Sequence, residues 1–375
     1  MKKKIVILVC SLLCTACMAP EKIIEMQGIS TIIGFDLLDD NTYKGTISLL
    51  QFDRKEEKTS VTLSAEGTTS KQIRQKLEEQ TSHDITSGQL RTILFNKNMA
   101  ETGISSFLDT MQRDSIISSL IFLAITDNAE ETINNTNYEE YPEMGSYIYQ
   151  LLDKHEKKEM LVNSNLHDFI TTLNEIGIDP TLPMIKNSNG VAPFIDGVAL
   201  FKEDKIVGSI SLINTLYIKL FTNNKAFLGD ITLEIAAEEL EKRGIAQPLP
   251  KSDIYKITLH PIKYKGNIEI KNEELVHLNA TISVSTLEFQ PYTSLKNKDS
   301  LNKMELLIGE ALNNKFGHIL EELKNLNTDP IGIGRKIRSI RKYSHLTDGD
   351  LRQIYPALKI KPNIKVEIKR TGSVD

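Results

Sequence analysis

Leu301–Leu326, LNKMELLIGEALNNKFGHILEELKNL, is the stretch on which the fold class turns. Leu301, Met304, Ile308, Leu312, Phe316, Ile319, Leu323 and Leu326 recur every three or four residues, so one continuous apolar stripe runs along a predicted helix and must be buried. At about 1.5 Å per residue that helix is roughly 39 Å long, enough to cross a whole sheet. Asp329-Pro330 ends it, because proline cannot continue the hydrogen-bond ladder. A helix of this kind needs a sheet to lie against.

The flanking sequence supplies strands. Gly28–Leu37 is apolar and β-branched, Asp39-Asp40-Asn41 provides turn residues, and Tyr43–Phe52 resumes as a strand, which is a hairpin signal. Lys58–Ser64 alternates as a third strand, and Thr68–Ser70 offers a helix start. Arg91–Phe95 and Leu120–Ile125 read as buried strands with a helix from Ile104 to Gln112 between them. Helices are predicted at Met144–His155 and Leu166–Ile176, the second capped by Ser164 or Asn165 and stopped by Gly177 with Asp179-Pro180 beyond. Phe194–Phe201 and Lys205–Ile210 form a hairpin, Leu212–Leu220 a helix, and Glu234–Lys242 is helical in composition. Ile254–His260, Ile268–Lys271 and Leu275–Leu287 are strand candidates, with Lys265-Gly266-Asn267 as a turn. A short helix, Ile333–Tyr343, and a strand, Ile364–Arg370, complete the chain. Strands and helices alternate without a strict βαβ rhythm, so the expected class is α/β in the mixed α+β sense, with mixed sheets flanked by helices. Pro180–Pro193 lacks periodic apolar residues and is the expected domain boundary. The predicted organisation is a signal peptide at 1–16, a linker at 17–27, an N-terminal α/β domain at 28–186, a middle domain or first part of the C-terminal portion at 194–250, and a C-terminal α/β domain at 251–375 containing the long helix 301–326.

The N-terminus reads as an export signal. Lys2–Lys4 precede an apolar run from Ile5 to Cys14, which is too short to span a bilayer, and Leu13-Cys14-Thr15-Ala16-Cys17 reads as a lipoprotein processing site. Cleavage before Cys17 would leave its thiol to carry a diacylglycerol lipid, tethering the chain outside the cytoplasmic membrane. The other cysteines, Cys10 and Cys14, lie in the segment removed. A mature chain without a free thiol is no cysteine hydrolase, disulfide scaffold or thiolate metal protein. Removing residues 1–16 takes away three of the 45 bases and none of the 50 acids, so the formal charge moves from −5 to −8. That balance disfavours nucleic acid as a partner.

Motifs for chemistry are sparse. The seven histidines have no metal-site spacing, and no HExxH, GxSxG, P-loop or calcium-loop pattern occurs. Gly332-Ile333-Gly334 follows a helix rather than a strand and is better read as a tight connection between two helices. No cofactor and no metal site is expected beyond the lipid on Cys17. Arg335, Lys336, Arg338, Arg341 and Lys342 gather five bases within eight residues, opposite Ile333, Ile337 and Ile340. That face is either a solvated helix surface or an interface for an acidic partner or anionic headgroups.

Several blocks in order resemble the C subunits of spore germinant receptors, the GerAC-like or Ger(x)C lipoproteins. Cys17 resembles the family's lipidated cysteine, and Ile29–Asp36 its first strand. Gln89–Leu94, Met99–Ile104 and Gln112-Arg113-Asp114 are similar to its strand, helix and Arg-Asp signature. Asp196–Phe201 with Lys205–Gly208 resembles the hairpin opening its C-terminal portion. Asp329-Pro330-Ile331-Gly332-Ile333-Gly334, Tyr355-Pro356 and Ile364–Gly372 are the most specific matches. The chain departs from the family in carrying Met18-Ala19-Pro20-Glu21 where most members have Trp-Asp and basic residues, and in having no tryptophan. The resemblance implies a three-domain mixed α/β fold. It also implies a non-enzymatic subunit on the outer face of the cell or spore inner membrane, beside A and B receptor subunits and needed for germination in response to small nutrients. An alternative is a membrane-anchored solute-binding lipoprotein that captures the small germinant directly, which would need a cleft with convergent polar groups.

Overall fold

Nine strands of the first half pair into one mixed sheet in a computed structural model of the chain, which describes residues 26–39, 41–50, 60–135, 143–162, 164–188, 191–222, 229–245, 252–290 and 298–370. They are β1 (Gln27–Asp39), β2 (Thr42–Leu50), β3 (Ser60–Gly67), β4 (Asp84–Thr86), β5 (Thr92–Asn96), β6 (Phe122–Thr126), β7 (Thr181–Ser188), β8 (Val191–Lys202) and β9 (Lys205–Ser211). Their order is β3-β2-β1-β5-β6-β7-β8-β9, with β4 beside β1. β1, β5, β6 and β7 run parallel at the centre, and antiparallel hairpins extend both sides. Every residue of β5 and β6 is buried, as expected of parallel strands covered on both faces. Ile93, Phe95, Leu123 and Ile125 face the helices Ser70–Glu78, Ser105–Gln112 and Leu166–Asn174. Leu94 and Ala124 face the other way, toward Ile148 and Leu152 of the helix Met144–Lys157.

The second sheet is β10 (Ile231–Ala236), β11 (Ile254–Ile270), β12 (Leu275–Gln290) and β13 (Lys359–Arg370), in that order. Val276, Leu278, Ala280, Ile282 and Val284 point from β12 into the core, while the residues between them do not. The long helix spans Lys298–Leu326 and buries Met304, Ile308, Leu312, Phe316, Ile319 and Leu323 of the expected stripe. It also closes the sheet edge. Ile364 and Ile368 of β13 donate their backbone N–H groups to Asn313 Oδ1 and Glu305 Oε1, both at 2.7 Å, so the edge is paired rather than left open to other chains. The core under this helix is continuous with one face of the larger sheet.

Within the interval expected as a domain boundary, β7 and the start of β8 pair with each other, so residues 191–211 add strands to the sheet that the N-terminal segment begins. Three expectations need correction. Glu234–Lys242 is helical only from Ala237. Ile231, Leu233 and Ile235 alternate and are drawn into pairing with β11. Lys265-Gly266-Asn267 is no turn, because β11 runs straight through it opposite Asn279–Thr281. Gly266 is required there since a Cβ would stand 1.8 Å from the carbonyl oxygen of Leu220. The expected helix Ile333–Tyr343 ends at Arg338, and a short 3-10 turn follows at Arg341–Tyr343. Cys17 and the signal segment lie outside the described residues.

Candidate functional site

The turn after the long helix is where the two halves of the chain meet. Asn327 takes a positive φ, Gly332 adopts φ +79°, and the chain reverses into the helix Ile333–Arg338. Asp329 organises the reversal. Its carboxylate accepts the N–H groups of Gly332 at 2.9 Å and Gly334 at 2.7 Å, satisfying donors at the start of that helix which would otherwise be orphaned. The residue is buried, and loss of solvation pushes its pKa up to about 7, opposed by those backbone donors and reinforced by the neighbouring Asp179.

Asp179 comes from the N-terminal half, just beyond the helix Leu166–Asn174. Its N–H donates to the Asp329 carbonyl at 3.0 Å, and its Oδ2 accepts the Asp329 N–H at 2.7 Å. Arg352, in the helix Asp348–Ile354, reaches Asp179 Oδ1 at 2.9 Å and Asp348 Oδ2 at 2.6 Å. Gly177 completes the joint. Its carbonyl accepts the Arg335 N–H at 2.6 Å and its N–H donates to Asp348 Oδ1 at 3.2 Å. With φ +80° and a hypothetical Cβ only 2.5 Å from Arg335 N, no residue with a side chain fits without separating the halves. The Thr328 hydroxyl donates to the Phe201 carbonyl, adding a bond to β8. Tyr355 lies buried beside both acids, which together with desolvation raise its pKa well above the ordinary value, and its hydroxyl has no hydrogen-bond partner among the described residues.

A cleft of about 450 Å³ opens beside this joint, lined by Asp168, Glu175, Thr181, Lys219 and Arg335 among others. Its charges are already engaged. Arg335 pairs with Glu175 at 3.1 Å, and Lys219, almost completely buried, binds Glu159 and donates to the Leu161 carbonyl at 2.8 Å. The arrangement therefore acts as a clamp: its acids and bases are occupied in holding segments together.

Of the five bases expected at an interface, the structure splits the set. Arg335 is tied to Glu175 and Lys342 to Glu273 at 2.6 Å. Lys336 and Arg341 are exposed, Arg338 is half-buried, and no ion pair engages these three among the described residues. Among the described residues no group of three or more His, Cys, Asp or Glu could hold a metal ion. The Asp179 partner of the Asp329 turn escaped sequence reasoning. Asp179-Pro180 signals a helix stop, and nothing local to it points 150 residues onward.

Comparison with known proteins follows the same two segments. A family model described as spore germination protein N-terminal domain matches residues 20–187, and one described as spore germination B3/GerAC like, C-terminal, matches 196–372. The chain is 27% identical over 378 residues to the spore germination protein GerQC of Bacillus cereus, covering 99% of both chains. It is 22% identical over 323 residues to the putative spore germination protein YfkR of Bacillus subtilis (strain 168), covering 82% of this chain and 78% of that one. The crystal structure of the GerBC protein superposes with a TM-score of 0.58 at 15% identity, covering 90% of this chain and 97% of that one, which shows a shared fold.

Proposed function

The chain belongs to the GerAC-like family of spore germination proteins, and on that premise we propose that it is a lipid-anchored, non-enzymatic subunit of a spore germinant receptor complex. The observation that carries the reading is the extent of the match: residues 20–187 and 196–372 are both covered, so the likeness is to the whole protein and not to one borrowed module. The clamp at Asp329 supports it further, since its charged groups serve to join the halves into one body suited to docking. Cys17 is the attachment point in this reading. A diacylglycerol group provides two acyl chains, and two anchoring signals are what stable membrane attachment takes. No described helix is long and apolar enough to cross a membrane. The folded part would face outward from the cytoplasm, beside the A and B subunits.

The test is recovery from spores. A tagged full chain, extracted from spore membranes in mild detergent, is expected to bring down A and B receptor subunits, and Cys17→Ala is expected to leave washed membranes and lose them. Recovery of the wild-type chain free of either subunit would overturn the receptor assignment. Retention of Cys17→Ala in membranes lacking the partners would overturn the lipid assignment alone.

A further inference from the structure

Among the described residues, the smaller sheet is covered on one face and open on the other. Alternation along β12 sends Val276 to Val284 inward, and leaves His277, Asn279, Thr281, Ser283 and Ser285 on the open side. These central residues are mostly short. Their direct neighbours on the flanking strands are long and mostly basic: the register sets Lys265 and Lys365 on either side of Thr281, and Lys263 and Glu367 on either side of Ser283. Residues paired in register point to the same face. Short side chains over the middle strand and long ones over its neighbours make a trough running along β12. With strands about 4.8 Å apart, its walls stand about 9.6 Å from each other at the backbone, the width of one extended chain with its side chains. The concavity measures about 680 Å³.

One end of the trough is a row of amides, Asn267, Asn279 and Asn363, in which Asn363 Nδ2 donates to Asn279 Oδ1 at 2.9 Å. The walls carry Lys263, Lys265, Lys365 and Lys369 with one acid among them, Glu367, which Lys369 neutralises at 2.7 Å; a second, Glu269, stands at the amide end, where it accepts from Asn279 Nδ2 at 3.2 Å and is paired with Lys271 at 2.6 Å. Lys263, Lys265 and Lys365 have no acidic partner among the described residues. A concentration of unpaired bases on a chain whose formal charge is −5 does not arise from overall composition.

We propose that this trough is a docking site for an extended, acidic segment of a protein partner. Charge complementarity selects an anionic occupant. Shape then selects between the two large anionic surfaces available to a tethered protein: a bilayer presents a flat plane that would rest on the lysine tips and leave the Thr281 and Ser283 floor empty, whereas an extended chain fills it. The amides would meet backbone groups and the lysines carboxylates. The inference stands apart from the receptor assignment, and only its comparison with a bilayer rests on the lipid anchor proposed above.

The test uses the full-length lipoprotein in neutral detergent micelles, with a fluorescent peptide of alternating glutamate and serine as probe. The same peptide with glutamine for every glutamate, and phosphatidylglycerol vesicles, are the comparison ligands. The acidic peptide is expected to bind and the glutamine peptide not to. Lys265→Glu/Lys365→Glu should weaken binding about tenfold with an unchanged melting curve, as reversal of two surface charges in an electrostatic contact would. Thr281→Tyr keeps every lysine but fills the floor, and should weaken the peptide as well. Unchanged binding in the double variant overturns the proposal. So does loss confined to the double variant, which would mean diffuse charge attraction with no trough. A double variant that loses vesicles yet keeps the peptide would assign the face to the membrane instead.

Discussion

Asp329 sets the behaviour of the joint with pH. An acid whose pKa lies at about 7 when folded and near its ordinary 3.8 when unfolded binds its proton more readily in the folded chain. Stability from this group is therefore fully present below the unfolded value and is lost as pH rises toward about 7. Acids held below their ordinary range, such as Asp109 beside Arg113 and Glu273 beside Lys342, act in the opposite sense, so a wild-type melting curve mixes the two. Asp329→Asn isolates it. The amide retains an oxygen for one of the two glycine N–H groups but turns an NH2 toward the other, so the variant should be less stable overall yet lack this loss between about pH 4 and 7. Parallel pH profiles of melting temperature for wild type and variant would show that Asp329 does not titrate in that window. Half of this joint was legible beforehand. Asp329-Pro330 and Gly332-Ile333-Gly334 announce a reversal between helices by their backbone preferences alone, whereas Asp179 is defined by tertiary contact.

At the scale of elements, the apolar stripe of the long helix translates directly into packing. Phe316 is fully buried, with its ring stacked on Tyr217 at 4.9 Å and on Phe221 at 5.8 Å between centroids. It thereby fastens the helix to the Thr215–Thr222 helix, which in turn leans on β11 at Gly266. Phe316→Ala is expected to cost about 3–5 kcal/mol, through lost burial and the cavity left behind. Urea titration checks it: the midpoint should fall with little change in slope, and a loss under about 1 kcal/mol would mean that the neighbouring rings collapse into the space. Long periodic elements such as this helix, and the hairpin of β8 and β9, could be read because many residues vote for one period. Short or interrupted ones could not. β10 offers only three alternating apolar positions among glutamates and alanines that favour helix, and β7 carries Pro183 in a run flanked by turn residues. In β11 a Lys-Gly-Asn sequence has the local chemistry of a turn, and the glycine serves the approach of Leu220 instead.

Over the whole molecule, the joint and the two basic surfaces divide the work between cohesion and contact. Arg335 and Lys342 are spent on Glu175 and Glu273, which tie the Ile333–Arg338 region to the N-terminal half and to the loop before β12. What remains outward from that region is Lys336 and Arg341, both exposed and unpaired among the described residues. Arg338 is a poor choice for mutation because its Nε is buried without a partner, so a carboxylate there would add a desolvation cost to any effect on contacts. Lys336→Glu/Arg341→Glu reverses charge where the fold does not depend on it, and exposed substitutions of this kind usually shift stability by no more than about 0.5 kcal/mol. In spores carrying the double variant, protein level and melting curve should match wild type while recovery of the A and B subunits with the tagged chain falls. Germination should slow in proportion to that loss. Normal recovery together with normal germination would leave these bases as a solvated surface, and the proposed receptor contacts would then have to be sought elsewhere on the molecule.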